Sequence, residues 1–201
     1  MNFLSIDCSM HIGSLFVKIK NKTFSKVLQS DKSNNDLLMK QILVFFVENN
    51  IDFKAISNIF VNQGPGSFSG IRGSLATAKG ISISNNLNLI GYNTFIWSCA
   101  RFIDKKESIY SLIKYRDKYF IKKFDKKLRA TIEIKEVSLK EIIKNYSEEF
   151  KVIPKNMKKD FDQKLLKLKN LAIVDLDHNE LEFLQVKGLL DEEFIKPLYL
   201  N

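Results

Sequence analysis

The chain has 201 residues and a net charge of +9, with 45% hydrophobic and 27% charged residues. That is enough apolar material for a packed core in one domain or two small ones, and it excludes intrinsic disorder. No apolar run approaches a membrane span, and the opening Met1-Asn2-Phe3-Leu4-Ser5-Ile6-Asp7 reaches an acid with no basic region, which is not a signal-peptide pattern.

Charge is uneven along the chain. Residues 1–99 hold 9 basic and 5 acidic side chains, and residues 100–201 hold 23 and 18. A sparse half followed by a dense half predicts two domains, 1–104 and 105–201. The pI near 9.4 permits nucleic-acid contact, although lysine- and isoleucine-rich composition also follows from genome base bias. Cys8 and Cys99 have no paired spacing and read as reduced thiols in a cytosolic protein. His11 and His178 are the only histidines, and with no His/Cys cluster no metal site is expected.

Phe3–Asp7 predicts a buried strand, and residues 15–20 and 23–29 predict two more around a hairpin break at Asn21-Lys22. Leu37, Leu38, Ile42, Phe45 and Phe46 recur at helical spacing, with Asp31 or Ser33 as cap. Residues 56–61 form the next apolar run, which enters Gly64-Pro65-Gly66-Ser67-Phe68-Ser69-Gly70-Ile71-Arg72. Five of the eight glycines lie between Gly64 and Gly80. A strand passing into a helix through such a loop presents free amides that can hold an anion, lock a tight turn or meet another subunit. A helix is predicted over residues 69–83, capped by Ser69 and rich in small residues. Each interior glycine costs about 0.5–1 kcal/mol, so packing must offset it. One face covers the sheet. The other is too apolar for water, and a helix of another chain is the preferred cover.

A strand at 87–92 and a helix at 94–102 follow. Three leading strands and then β-α-β alternation describe an RNase H-like half. Strands at 108–115, 119–124 and 132–137, a helix at 139–146, strands at 151–154 and 172–175, and an extended tail predict a reduced second half. Residues 114–129 place eight cations among Tyr115, Tyr119, Phe120 and Phe124. Such a strip suits a tRNA backbone, yet alternation of this kind is also that of a half-buried strand, the preferred reading.

The loop and residues 75–80 (Leu-Ala-Thr-Ala-Lys-Gly), with Ile6-Asp7-Cys8-Ser9, Ile90-Gly91, Thr94 and the closing Pro197-Leu198-Tyr199-Leu200, resemble the TsaB (YeaZ) family of bacterial tRNA-modification proteins. Departures fall at Ser33-Asn34-Asn35, Gly73-Ser74 and Lys114-Tyr115-Arg116. The resemblance implies two halves of the actin, sugar-kinase and Hsp70 type. It also implies pairing with a catalytic TsaD-type paralogue and a TsaE-type ATPase, and threonylcarbamoyl transfer to the adenosine beside the tRNA anticodon. In that picture this subunit supports the catalytic one and contributes no catalytic residue. The expected interface is Asn35, Leu38 and Ile42 on the first helix, with Ser69, Arg72, Gly73, Ala76, Thr77 and Gly80 on the second. Nucleotide or phosphate contact would fall to Asp7, Gly64, Gly66 and Ser67, with no firmly held cofactor and ATP or ADP at the complex interface. A homodimer is one state open to the chain alone. The competing reading is a stand-alone actin-like ATPase or kinase using Asp7 and the loop. Against it, Asp7 also reads as a turn-former beside Ser9, and no Walker-type lysine follows the glycines. Neither a metal pair nor a Ser/His/Asp set supports a peptidase.

Overall fold

The computed structural model describes residues 1–10, 12–28 and 37–200. The chain divides into two compact units, Met1–Thr94 with Leu190–Asn201, and Phe95–Leu189. The division comes earlier than residue 105, and the end of the chain belongs to the first unit. Charge density misplaces the boundary because the second unit begins with an apolar segment. Phe95, Ile96, Trp97, Cys99 and Ala100 are all buried before the first charged strand starts.

In the first unit, β1 (Phe3–Asp7), β2 (Gly13–Ile19), β3 (Lys22–Leu28), β4 (Asn58–Asn62) and β5 (Asn88–Tyr92) form one sheet in the order β3-β2-β1-β4-β5. β1 to β3 are antiparallel neighbours, and β4 and β5 run parallel to β1, with Phe3 opposite Asn58 and Ile6 opposite Val61. Central β1 and β4 are buried throughout, which explains their unbroken rather than alternating pattern. Helices α1 (Leu38–Glu48) and α2 (Phe68–Asn85) share one core cluster with Leu4, Ile6, Leu15, Val17, Ile59 and Val61 of the sheet. On the alternate residues, the Phe3 ring meets Phe60 edge-on at 4.9 Å and Phe16 at 5.7 Å. The caps expected at Asp31 or Ser33 lie outside the described residues.

The second unit starts with α3 (Thr94–Cys99), whose first residue belongs to the first unit, and a 3-10 turn at Ala100–Phe102. Its strands are β6 (Ser108–Tyr115), β7 (Lys118–Asp125), β8 (Ala130–Val137), β9 (Lys151–Pro154) and β10 (Leu171–Val174), in the order β10-β9-β6-β7-β8. The pairing directions repeat those of the first unit. Two RNase H-like halves are therefore present, and the expected reduction spares the sheet. What shrinks is helix: α4 (Leu139–Asn145) has 7 residues and α5 (Gln163–Leu166) has 4. Neither α5 nor α6 (Asn179–Val186) was foreseen, because each spans too few turns to show a period; α6 buries only Leu181 and Leu184. Lys151 is fully buried, yet its ammonium donates to the carbonyls of Tyr146 at 2.7 Å and Ser147 at 2.8 Å, and to that of Glu149. Three acceptors meet its three donors at the end of α4, which is what makes a buried lysine tolerable.

Candidate functional site

β1, β4 and β5 end beside one another, and their last residues build a buried polar cluster. Asn62 is fully buried at the end of β4. Its amide nitrogen donates to Ser9 Oγ and Thr94 Oγ1, each at 3.1 Å, and its oxygen accepts from the Gly64 amide at 2.9 Å. Asp7 Oδ1 accepts from the Ser9 amide at 2.9 Å and from its hydroxyl at 2.7 Å. This is the turn-forming role for Asp7. Burial pushes its carboxyl above the usual carboxylate range, opposed by the Ser9 and Asn62 hydrogen bonds. The same burial, with the Asp7 charge, pushes the Cys8 thiol up to about 12, which leaves it protonated and inert at neutral pH.

The glycine-rich loop closes onto the turn after β1. Gly64 has φ +110°, in the region that favours glycine, and its peptide to Pro65 is cis. A Cβ on Gly66 would lie 1.8 Å from the Ser9 carbonyl oxygen, and one on Gly70 2.1 Å from that of Cys8. The Ser67 amide donates to the Ser9 carbonyl at 2.7 Å, and the Thr94 amide to the Gly64 carbonyl at 2.9 Å. So Asp7, Gly64, Gly66 and Ser67 are brought together, but the Gly64 and Ser67 amides are engaged within the chain, and Gly66 rests on backbone where a ligand phosphate would need room. Ser67, not Ser69, caps α2, accepting from the Gly70 amide at 3.3 Å. Ser69 sits two residues later, inside the first turn, and is exposed.

The tail reinforces this elbow. Gly91 and Asp191 exchange hydrogen bonds of 2.7 and 3.0 Å at the outer edge of β5. The Leu198 amide donates to the Gln63 carbonyl at 2.7 Å, and Gln63 Nε2 to the Lys196 carbonyl at 3.0 Å. Tyr199 then stacks on Phe68 at 5.2 Å, and the Arg72 guanidinium lies 5.0 Å over the same ring. Reading the sequence missed Asn62, Gln63 and the tail as parts of one site. A polar pair closing a fully buried strand was the available signal for the first two.

The interface residues expected on α2 are accessible: Ser69, Arg72, Ala76 and Gly80 are exposed, and Gly73 and Thr77 half-buried. On α1 the expectation needs correction. Leu38 and Ile42 belong to the core, because they fall on the sheet-facing side of the helix. The outward side is instead Met39, Leu43, Val44 and Val47, the last 77% exposed. Asn35 lies outside the described residues. So does His11, whereas His178 is buried against Trp97 with ring centroids 4.8 Å apart. Burial pushes its imidazole down to about 4. Among the described residues, no group of three or more His, Cys, Asp or Glu side chains could hold a metal ion, and no helix is long and apolar enough to cross a membrane.

The cations of residues 114–129 have local partners. Lys118 pairs with Glu136 at 2.8 Å, Lys122 with Glu133 at 3.4 Å, Lys126 with Glu107 at 3.7 Å, Lys127 with Asp104 at 3.4 Å and Arg129 with Asp125 at 3.0 Å. Lys114, Arg116 and Lys123 lie over Tyr119, Tyr115 and Tyr110. The half-buried strand reading accounts for the strip.

Known proteins share both sequence and fold with this chain. The family model of TsaD, the tRNA N6-adenosine threonylcarbamoyltransferase, matches residues 29–110. The tRNA threonylcarbamoyladenosine biosynthesis protein TsaB of Buchnera aphidicola subsp. Baizongia pistaciae is 34% identical over 96 residues, 46% of this chain. That match spans only 42% of the relative's length. Over the whole chain the fold matches YeaZ from Pseudomonas aeruginosa, with TM-score 0.69, 16% identity and 99% of each chain covered. A Pseudomonas aeruginosa protein described as similar to the peptidase YeaZ gives TM-score 0.72 and 15% identity over 100% of this chain and 99% of its own. Over about half its length the chain is similar in sequence to TsaB, and over its whole length it is similar in fold to YeaZ. Within this fold, the elbow closed on Ser9 and the outward faces of α1 and α2 are the two candidate functional features.

Proposed function

We propose that the protein is a non-catalytic subunit of the machinery that makes tRNA threonylcarbamoyladenosine, binding and stabilising a TsaD-type catalytic paralogue through the outward faces of α1 and α2. A TsaE-type ATPase and tRNA would join through the complex, with ATP or ADP at its interface. One observation carries the reading. The loop that could cradle phosphate is filled by the chain's own backbone at Gly66 and Gly70, while the helix beginning there leaves Ile83 83% exposed and α1 leaves Val47 77% exposed. A closed elbow beside an apolar helix face suits a docking subunit better than a nucleotide-hydrolysing one. The TsaD family-model match fits descent from a shared ancestor with such a paralogue.

The test is co-purification of the tagged chain with the paralogue, together with the threonylcarbamoyladenosine content of tRNA in cells depleted of the chain. Gly73→Leu with Ala76→Arg should abolish both the complex and the modification. A tight complex surviving that pair would refute the interface.

A further inference from the structure

Resting on that proposed role, a lysine-rich surface of the second unit points to a ligand of definite chemistry. Residues 155–169 hold six lysines and two aspartates, +4 of the chain's +9. They form a 3-10 turn at Lys155–Asp160, then α5 and the segment after it. Met157, Phe161 and Leu165 recur every four residues and are buried, which fixes the inward side. Lys158, Lys159, Lys164 and Lys167 are exposed. Unlike the five ion-paired cations of residues 114–129, these four make no ion pair among the described residues. Asp162 caps α5, accepting from the Lys164 amide at 2.7 Å, so Asp160 is the segment's one uncommitted acid among the described residues. Lys155 is held by Asp175 at 3.0 Å. Lys169 adjoins Asn170, whose side chain donates to the Glu148 carbonyl, and the acids Glu148 and Glu149 set it apart from the other four. α4 packs on α5 and adds the exposed Lys140 and Lys144; its acid, Glu141, accepts from the Ser138 amide and hydroxyl at 2.7 and 2.8 Å.

What the surface lacks narrows its partner. A protein interface is built on an apolar centre and is depleted in lysine, and a helix lying on a membrane needs an apolar face. Among the described residues, none of the large hydrophobic side chains from 139 to 170 is exposed. The same observation leaves no exposed ring on which an unpaired base could stack. Point charges on flexible stems remain, and these suit phosphate oxygens. We infer that Lys158, Lys159, Lys164 and Lys167 bind the phosphate backbone of a helical stem of the tRNA, by charge and without reading bases. Four phosphate contacts give a slope of about −3.6 in log affinity against log salt, so affinity falls about a thousandfold between about 0.02 and 0.15 M. The chain alone therefore holds tRNA only at the lower salt, and near 0.15 M the surface acts as one part of the complex.

The experiment titrates fluorescently labelled bulk tRNA with the full chain as salt is raised from about 0.02 M, and with its complex with the paralogue near 0.15 M. Lys158→Gln, Lys159→Gln, Lys164→Gln and Lys167→Gln together should weaken binding at least tenfold in both and flatten the slope for the chain alone by about 3. A matched control changes Lys118, Lys122, Lys126 and Lys127 to Gln. It lowers the net charge equally and should keep the wild-type slope. A short RNA duplex of unrelated sequence should compete with tRNA. Circular dichroism confirms that both variants fold, and both should still co-purify with the paralogue. An unchanged slope in the first variant, or an equal loss in the control, would overturn the inference. Competition that requires the anticodon sequence would overturn it too, as would tighter binding to phosphatidylserine vesicles than to tRNA. Failure of the wild-type chain to co-purify with the paralogue would refute the proposed function instead, while the low-salt titration of the chain alone still reads this surface.

Discussion

At Gly70 an added methyl group would meet the Cys8 carbonyl at 2.1 Å, whereas at Gly80 it would meet nothing within 4 Å. The two glycines sit in one helix and carry opposite predictions. Gly70→Ala should destabilise by about 2–4 kcal/mol, since backbone on both sides must move. Gly80→Ala should stabilise by about 0.5–1 kcal/mol through helix propensity alone. Urea denaturation of both variants checks this, and equal effects would refute the closed elbow. Asn62→Ala strands the Gly64 amide and removes the donor to Ser9 and Thr94, and should cost about 2–3 kcal/mol in the same assay. His178 gives a pH dependence. Its folded value near 4 lies below the ordinary 6.5, so the unfolded chain binds the proton first. Its contribution is full above pH 6.5 and is lost as pH falls towards 4, on the order of 3 kcal/mol in all. Wild type should therefore lose more stability than His178→Gln between pH 7 and pH 5, and the ring should titrate by NMR well below 6.5.

The elements differ in what holds them. α2 begins on the elbow, capped by Ser67, and α1 rests on the sheet through Leu38, Ile42, Phe45 and Phe46. The tail is an extended strap along the β5 edge and the Gln63 carbonyl, with Ile195 packed against the core. Hydrogen bonds of Gly91, Asp191, Leu198 and Gln63 tie it down. Removing residues 191–201 should expose the Gly91 amide and the Gln63 carbonyl, and destabilise the first unit by about 2 kcal/mol after the ordering entropy of the strap is regained. Hydrogen exchange reads this directly, as faster exchange at Gly91 and across the loop amides of Gly64 and Ser67. Unchanged protection would show that the elbow holds without the strap.

For the whole molecule, both units keep the five-strand order while helix is spent unevenly, with 18 residues in α2 against 4 in α5. Long helices offer the larger outward faces, which is why the proposed docking falls on the first unit. The lone chain should give no calorimetric heat with ATP at micromolar concentrations, because the Gly64 and Ser67 amides are engaged and Gly66 has no clearance. It should also give no tRNA shift near 0.15 M salt, because Lys118, Lys122, Lys126, Lys127 and Arg129 of the strip are ion-paired with neighbouring acids. Micromolar ATP binding with turnover would revive the kinase-like alternative.

The strands and the two long helices were legible in the amino-acid order, since buried strands and amphipathic helices write their periods locally within ten or so residues. The elbow was legible too, because only glycine and proline tolerate its backbone. Which residues meet across the chain was decided by tertiary structure: Asn62 on Thr94, Gln63 on Leu198, Tyr199 on Phe68. The same holds for the rotation of α1, which turned Leu38 and Ile42 inward and Leu43 and Val47 outward. A helical period marks an apolar face as broad as the one on α1 without marking its centre, and only the sheet beneath it fixes which edge water sees.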